Sequence, residues 1–85
     1  MMRVKVERVR EGQHPSEVVV TITTAEGDKE WVIVDQRSLR GDLLGIGYPV
    51  GEDGDHLLVE LPQETLTGAW RVWVNKSLVQ EDRAA

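Results

Sequence analysis

The chain has 85 residues, a formal net charge of −5 at pH 7, three tryptophans and no cysteine. A chain of this length supports one small core, and the lack of cysteine excludes disulfides, thiolate metal sites and cysteine nucleophiles. The negative charge argues against wholesale binding to nucleic acid or to anionic membranes.

The first half of the chain predicts three strands. Valines alternate with charged residues in residues 3–9 (RVKVERV) until Val9, which comes one position later than the alternation predicts. One extra residue at this point predicts a β-bulge. Residues 17–23 (EVVVTIT) form the second strand, and Gly27 is placed to close a hairpin with a positive φ. Residues 29–34 (KEWVIV) are apolar on both faces, so we expect a central strand. Asp35 and Gly41 then bound a single helical or 3-10 turn.

The second half repeats this order. Residues 43–50 (LLGIGYPV) place Gly45 and Gly47 on one face, where we expect a tryptophan ring to pack. Residues 56–62 (HLLVELP) and 69–74 (AWRVWV) are the fifth and sixth strands, and Asn75 begins a second short turn.

The two halves resemble each other at an offset of 39 residues. EWVIVDQRSL (residues 30–39) corresponds to AWRVWVNKSL (residues 69–78), and Trp31 is aligned with Trp70. The correspondence reflects either an internal duplication or the apolar alternation that any two three-stranded meanders share. Under both interpretations each half has an apolar face that it cannot bury alone.

This pattern predicts an all-β fold: a six-stranded closed barrel or tight sandwich made of two βββ halves. We expect one domain over residues 1–80, with halves at 3–40 and 42–79 and a disordered tail at 81–85. The predicted core comprises Val20, Ile22, Trp31, Ile33, Val59, Leu61, Trp70 and Val72.

The last third of the chain resembles the SH3-like small β-barrels. GAWRVWVNKSLVQ has the outline of a strand, a short turn at 75–77 and closing residues at 78–79. The resemblance covers only this segment. It implies a small barrel as a variant of the fold, and a function in ligand binding through loops and aromatic residues.

Few residues have the spacing of a catalytic or metal site. His14 and His56 belong to no nucleophile signature, and the acidic turn GEDGDH (residues 51–56) lacks the spacing of a calcium loop. We therefore expect no enzymatic activity, no metal and no cofactor.

The basic residues suggest a binding surface. Arg3, Lys5, Arg8 and Arg10 could follow a phosphate backbone, although charged edge strands ordinarily prevent aggregation, which is the reading we favour. Trp73 either packs under the loop at 62–68 or, if exposed, joins a cationic and aromatic patch. The residues of that candidate surface are Arg37, Arg71, Trp73 and Lys76.

The sequence thus predicts a small non-enzymatic module that binds another protein or has a regulatory role, with self-association through an edge strand as one route. The alternative is a small-barrel binder of single-stranded nucleic acid that uses the Arg/Trp patch. The cysteine-free composition, the polar N-terminus and the lack of an apolar run of ~20 residues predict a cytoplasmic protein without membrane contact.

Overall fold

A computed structural model describes residues 1–81 and shows an all-β fold with two 3-10 turns. No helix among these residues is long and apolar enough to cross a membrane. The strands are β1 (Met2–Lys5), β2 (Glu7–Glu11), β3 (Glu17–Thr23), β4 (Lys29–Asp35), β5 (Leu39–Arg40), β6 (Leu43–Ile46), β7 (Gly51–Asp53), β8 (His56–Glu60), β9 (Arg71–Asn75) and β10 (Val79–Glu81). The 3-10 turns are Gln36–Ser38 and Lys76–Leu78.

The strands form three antiparallel sheets. The four-stranded sheet has the order β10-β1-β6-β5, the N-terminal three-stranded sheet is β2-β3-β4, and the C-terminal three-stranded sheet is β7-β8-β9. The predicted closed barrel is not present in residues 1–81. Two predicted strands also differ: the first breaks at Val6 into β1 and β2, which belong to different sheets, and the fourth, predicted over 43–50, ends at Ile46, before β7 begins in another sheet at Gly51.

Several local predictions are confirmed. The register of β2 against β3 shifts between Arg8 and Arg10, which is the bulge expected at Val9. Gly27 (φ 92°) has the left-handed backbone expected at the hairpin turn. Gly41 (φ 65°) also has a positive φ, but the prediction that it ends the first 3-10 turn is wrong, because that turn ends at Ser38 and Gly41 lies between β5 and β6. Both short turns occur where Asp35 and Asn75 predict them.

Both ends of the chain differ from the prediction. β1, which carries Arg3 and Lys5, is an interior strand of the four-stranded sheet and not an edge, and Arg3 is buried. Glu81 pairs with Met2 in β10, so it is not part of a disordered tail. The rest of the predicted tail, residues 82–85, lies outside the described residues.

One continuous cluster of aliphatic side chains forms the core, with contributions from all three sheets. Five predicted core residues are confirmed as buried: Val20, Ile22, Val59, Leu61 and Val72. Full burial of one such side chain stabilises the fold by about 1.5–3 kcal/mol. Val4 and Leu44, which pair across β1 and β6, are completely buried and connect the two halves.

The prediction of burial is wrong for the other three core residues: Trp31, Ile33 and Trp70 are 40%, 41% and 52% exposed. β4 is apolar on both faces, and it turns Val32 and Val34 to the core, which leaves Trp31 and Ile33 outside. Trp70 lies in a bend just before β9, where its carbonyl oxygen accepts a backbone hydrogen bond from Leu61.

The pairing registers explain why the offset of 39 misplaced the tryptophans. Ile22 pairs with Glu30, eight residues later, whereas Leu61 donates a backbone hydrogen bond to Trp70, nine residues later. The second hairpin is therefore one residue longer, so Trp70 corresponds to Glu30 and not to Trp31. A slip of one residue moves every side chain of a strand to the opposite face.

Candidate functional site

The outer surface of the C-terminal three-stranded sheet carries Trp73 on its edge strand β9. Leu58 pairs with Gly51 on one side and with Trp73 on the other, so these three residues form a row across the sheet. Glu60 and Arg71 form the neighbouring row on the same side. We call this surface the Trp73 face and define it by Gly51, Leu58, Glu60, Arg71 and Trp73.

The indole of Trp73 lies across the sheet. Its Cη2 atom is 3.5 Å from the position that a Cβ atom on Gly51 would occupy, and Leu58 lies between the two residues. The side chain is 38% exposed. One face of the ring therefore packs on the sheet, and the absence of a side chain at Gly51 provides the space. Neither Gly45 nor Gly47 has the tryptophan neighbour predicted for it.

Arg71 is held beside the indole by an ion pair. Its Nε atom donates to Oε2 of Glu60 at 3.1 Å, and both side chains are about half exposed. An exposed pair of this kind contributes little to the stability of the fold. It does fix the position of the guanidinium two residues before Trp73 on the same side of β9.

The predicted surface residues Lys76 and Arg37 lie on the two 3-10 turns. Lys76 follows the end of β9, and its Nζ atom contacts Oε2 of Glu52 in β7. Arg37 belongs to the other half of the chain, but it lines the same groove of about 350 Å³ as Glu60. This groove lies between the first 3-10 turn and the glycines at 45 and 47. The structure thus brings Arg71 and Trp73 together, with Lys76 at the end of the same strand and Arg37 across a groove.

The charge of Arg37 is engaged locally. Its backbone N–H donates to Oδ1 of Asp35 at 2.8 Å, and its Nε and Nη2 atoms donate to the two carboxylate oxygens at 3.3 Å. These hydrogen bonds lower the pKa of Asp35 and raise the pKa of Arg37. Each of the three basic residues of the predicted surface therefore has an acidic partner.

The hairpin between β3 and β4 also reaches Trp73. The backbone N–H of Ala25 donates to the carbonyl oxygen of Trp73 at 2.8 Å. A groove of about 220 Å³ lies between this hairpin and β9, and it is lined by Trp73 together with Glu26, Asp28 and Glu30. Sequence reasoning missed these carboxylates because a contact between residues 25 and 73 leaves no local signal.

The loop that was expected to cover Trp73 lies elsewhere. Leu66 donates its backbone N–H to the carbonyl oxygen of Trp31 at 2.9 Å, and Thr67 donates its hydroxyl to Glu30. This loop therefore lies against the outer edge of β4. Of the two alternatives for Trp73, the structure therefore favours the exposed position over packing beneath this loop.

Residues 1–81 contain no group of three or more His, Cys, Asp or Glu side chains arranged to hold a metal ion. His14 lies in the loop before β3, where its backbone N–H donates to Glu17, and His56 pairs with Asp53 and Asn75 at the start of β8. The two imidazoles thus belong to separate elements.

Comparisons with family models, with curated proteins and with solved structures find no match. The functional proposal therefore rests on the geometry of the Trp73 face and on the charge around it.

Proposed function

We propose that this protein is a small non-enzymatic module that binds another protein through the Trp73 face. The observation that carries the proposal is an exposed indole that the sheet already holds in place, beside an arginine oriented by Glu60. Tryptophan and arginine are the residue types that most often dominate the energy of protein–protein contacts.

The packing of the indole favours binding on entropic grounds. Ordering a flexible side chain at an interface costs free energy that subtracts from affinity. Trp73 rests on Gly51 and Leu58, and Arg71 is tethered to Glu60, so both side chains lose little freedom when a partner covers them. The Trp73 face is therefore partly organised for contact in the free protein.

Binding of single-stranded nucleic acid is the alternative that the same residues suggest, because indole and guanidinium groups stack on bases. The charges around the patch weigh against it. Arg71, Lys76 and Arg37 are paired with Glu60, Glu52 and Asp35, and the whole chain carries a net charge of −5. A phosphate backbone would meet no excess of positive charge here.

Three further features of the sequence remain proposals. The repeated order of strands, 3-10 turn and short strand in the two halves supports an internal duplication. The order of β9, the second 3-10 turn and β10 is in keeping with the SH3-like outline. The lack of cysteine supports a cytoplasmic location.

Photo-crosslinking tests the proposed function. A benzophenone amino acid replaces Val50, which is 49% exposed and adjoins Gly51, and in a matched control it replaces Val9, which is 44% exposed on β2. In cells that make the protein naturally, we expect a discrete adduct with another protein from position 50 and none from position 9. Excess wild-type protein should suppress the adduct, whereas the Trp73→Ala variant should not.

Equal adducts from both positions, or equal suppression by wild type and Trp73→Ala, would contradict the proposal. Self-association has its own test, because an adduct of twice the mass of the chain identifies a second copy. Light scattering of the purified protein at high concentration then separates a dimer from a monomer.

A further inference from the structure

We infer that the partner presents a cationic segment, with arginine or lysine side chains, to the exposed face of the Trp73 indole. This inference rests on the proposed function and names the chemistry of the partner. It follows from the position of the indole between two acidic parts of the chain that are distant in sequence.

The first acidic part is the tip of the β3–β4 hairpin. The hydrogen bond from Ala25 to the carbonyl oxygen of Trp73 fixes this tip beside β9, and Glu26, Asp28 and Glu30 line a groove that Trp73 also lines. The hydroxyl of Thr67 donates to Oε1 of Glu30. A cationic side chain lying over the indole would reach these carboxylates from the same groove.

The second acidic part is the β7–β8 turn. Glu52 and Asp53 end β7, and the carbonyl oxygen of Asp55 accepts a backbone hydrogen bond from Lys76 at 2.8 Å. This turn adjoins Gly51, on which the far edge of the indole rests. Negative charge therefore flanks Trp73 on both sides.

The nearby cations do not balance this charge. Arg71 and Lys76 pair with Glu60 and Glu52, while Lys29 at the start of β4 pairs with Glu7 at 2.9 Å. Among the residues that the structure describes, the carboxylates of Glu26, Asp28, Asp53 and Asp55 remain in excess around the Trp73 face. An ammonium or guanidinium group over the ring would gain from both the ring quadrupole and these carboxylates.

The same charges argue against a second copy of this chain as the occupant. Two Trp73 faces brought together would oppose one acidic surface to another, and like charges in contact suppress association. A heterologous basic segment meets the complementary field, which also accelerates its encounter with the site.

Trp31 provides an internal comparison. It is 40% exposed, close to the 38% of Trp73, and lies on the outer side of the N-terminal three-stranded sheet. Its cross-strand neighbour is Thr21, and the next acidic residue on that side, Glu7, is paired with Lys29. Trp31 thus matches the exposure of Trp73 without an excess of carboxylates.

Titration with a fluorescein-labelled hexa-arginine peptide, followed by fluorescence anisotropy at low salt, tests the inference. We expect saturable binding that weakens as salt is added, and no binding of labelled hexaglutamate. Trp73→Ala should weaken binding about tenfold, while Trp31→Ala should leave it unchanged. Glu26→Gln should weaken binding about twofold to fivefold, whereas Glu11→Gln, which removes one charge on β2, should not.

Equal effects of Glu26→Gln and Glu11→Gln would show attraction to the net charge alone and overturn the inference. An unchanged affinity in Trp73→Ala would overturn it as well, and urea unfolding of each variant confirms that the fold is intact. The photo-crosslinking experiment separates this inference from the proposed function. If hexa-arginine fails to bind while the Val50 adduct still forms, the Trp73 face is an interaction surface, but the inference that its partner is cationic is wrong.

Discussion

At the scale of single residues, the position of Trp73 depends on a glycine two strands away. A Cβ atom at Gly51 would lie 3.3 Å from Cβ of Leu58 and 3.5 Å from Cη2 of Trp73. The approach to Leu58 is tight, whereas the approach to Trp73 is an ordinary van der Waals contact, so only a side chain that extends beyond Cβ would compete with the indole for space. The glycine at this position allows the ring to lie flat, and its φ is not in the left-handed region, so the constraint is one of packing.

Gly51→Leu, whose side chain extends beyond Cβ, should therefore displace the indole from the sheet and increase its contact with water. We expect a red shift of the tryptophan emission and stronger quenching by acrylamide, together with weaker binding of hexa-arginine. Gly47→Leu is the matched control, because a Cβ atom at position 47 would lie near Glu60 alone, at 3.8 Å or more, and near no tryptophan. The same emission spectrum in wild type and Gly51→Leu would show that the ring does not rest on this glycine.

At the scale of single elements, the two 3-10 turns have the same shape but different caps. Asp35 accepts a hydrogen bond from the backbone N–H of Arg37, whereas the side chain of Asn75 makes no capping hydrogen bond in the second turn. A side-chain cap satisfies a backbone donor that the turn leaves unpaired. Asp35 should therefore matter more for stability than Asn75, although both precede a turn of three residues.

Asp35→Ala should lower the urea midpoint at pH 7, while Asn75→Ala should change it little. Because the hydrogen bonds from Arg37 lower the pKa of Asp35 below its ordinary 3.8, the stabilisation is present above that pH. It is lost as the pH falls through the pKa of the folded state. The difference between wild type and Asp35→Ala should accordingly shrink in acid. A difference that stays constant from pH 7 to pH 2 would contradict this role of the carboxylate.

Some features of single strands could be predicted from the sequence alone, and others could not. The strand predicted over residues 17–23 begins and ends where β3 does, and the extra apolar residue at Val9 correctly predicts the bulge in β2. β4 could not be oriented in the same way, since Trp31 and Ile33 are as apolar as Val32 and Val34. The core selected the two valines, and both lie in the single buried cluster of aliphatic side chains.

At the scale of the whole molecule, the site depends on contacts that no local pattern encodes. Arg71 and Trp73 were predictable as neighbours, because alternate residues of a strand share a face. The approach of the β3–β4 hairpin to β9 was not, since it follows from how two three-stranded sheets pack on one core. That packing places Glu26, Asp28 and Glu30 of one half in a groove that Trp73 of the other half also lines.

The arrangement of charge distinguishes the three tryptophans, which are all at least 38% exposed. Trp73 is the one that lies between the β3–β4 hairpin tip and the β7–β8 turn in the described part of the chain. A surface of this kind attracts positively charged partners over a Debye length of about 10 Å at 0.1 M salt. Exposure alone would give no reason to prefer Trp73 over Trp31 or Trp70.

The most direct test follows the three indole N–H signals of the ¹⁵N-labelled protein while unlabelled hexa-arginine is added. The signal of Trp73 should move progressively and saturate, together with the backbone amides of Gly51 and Leu58, while the signals of Trp31 and Trp70 stay in place. Shifts of similar size at all three indoles, or at Trp31 or Trp70 in place of Trp73, would contradict the assignment of the Trp73 face as the binding surface.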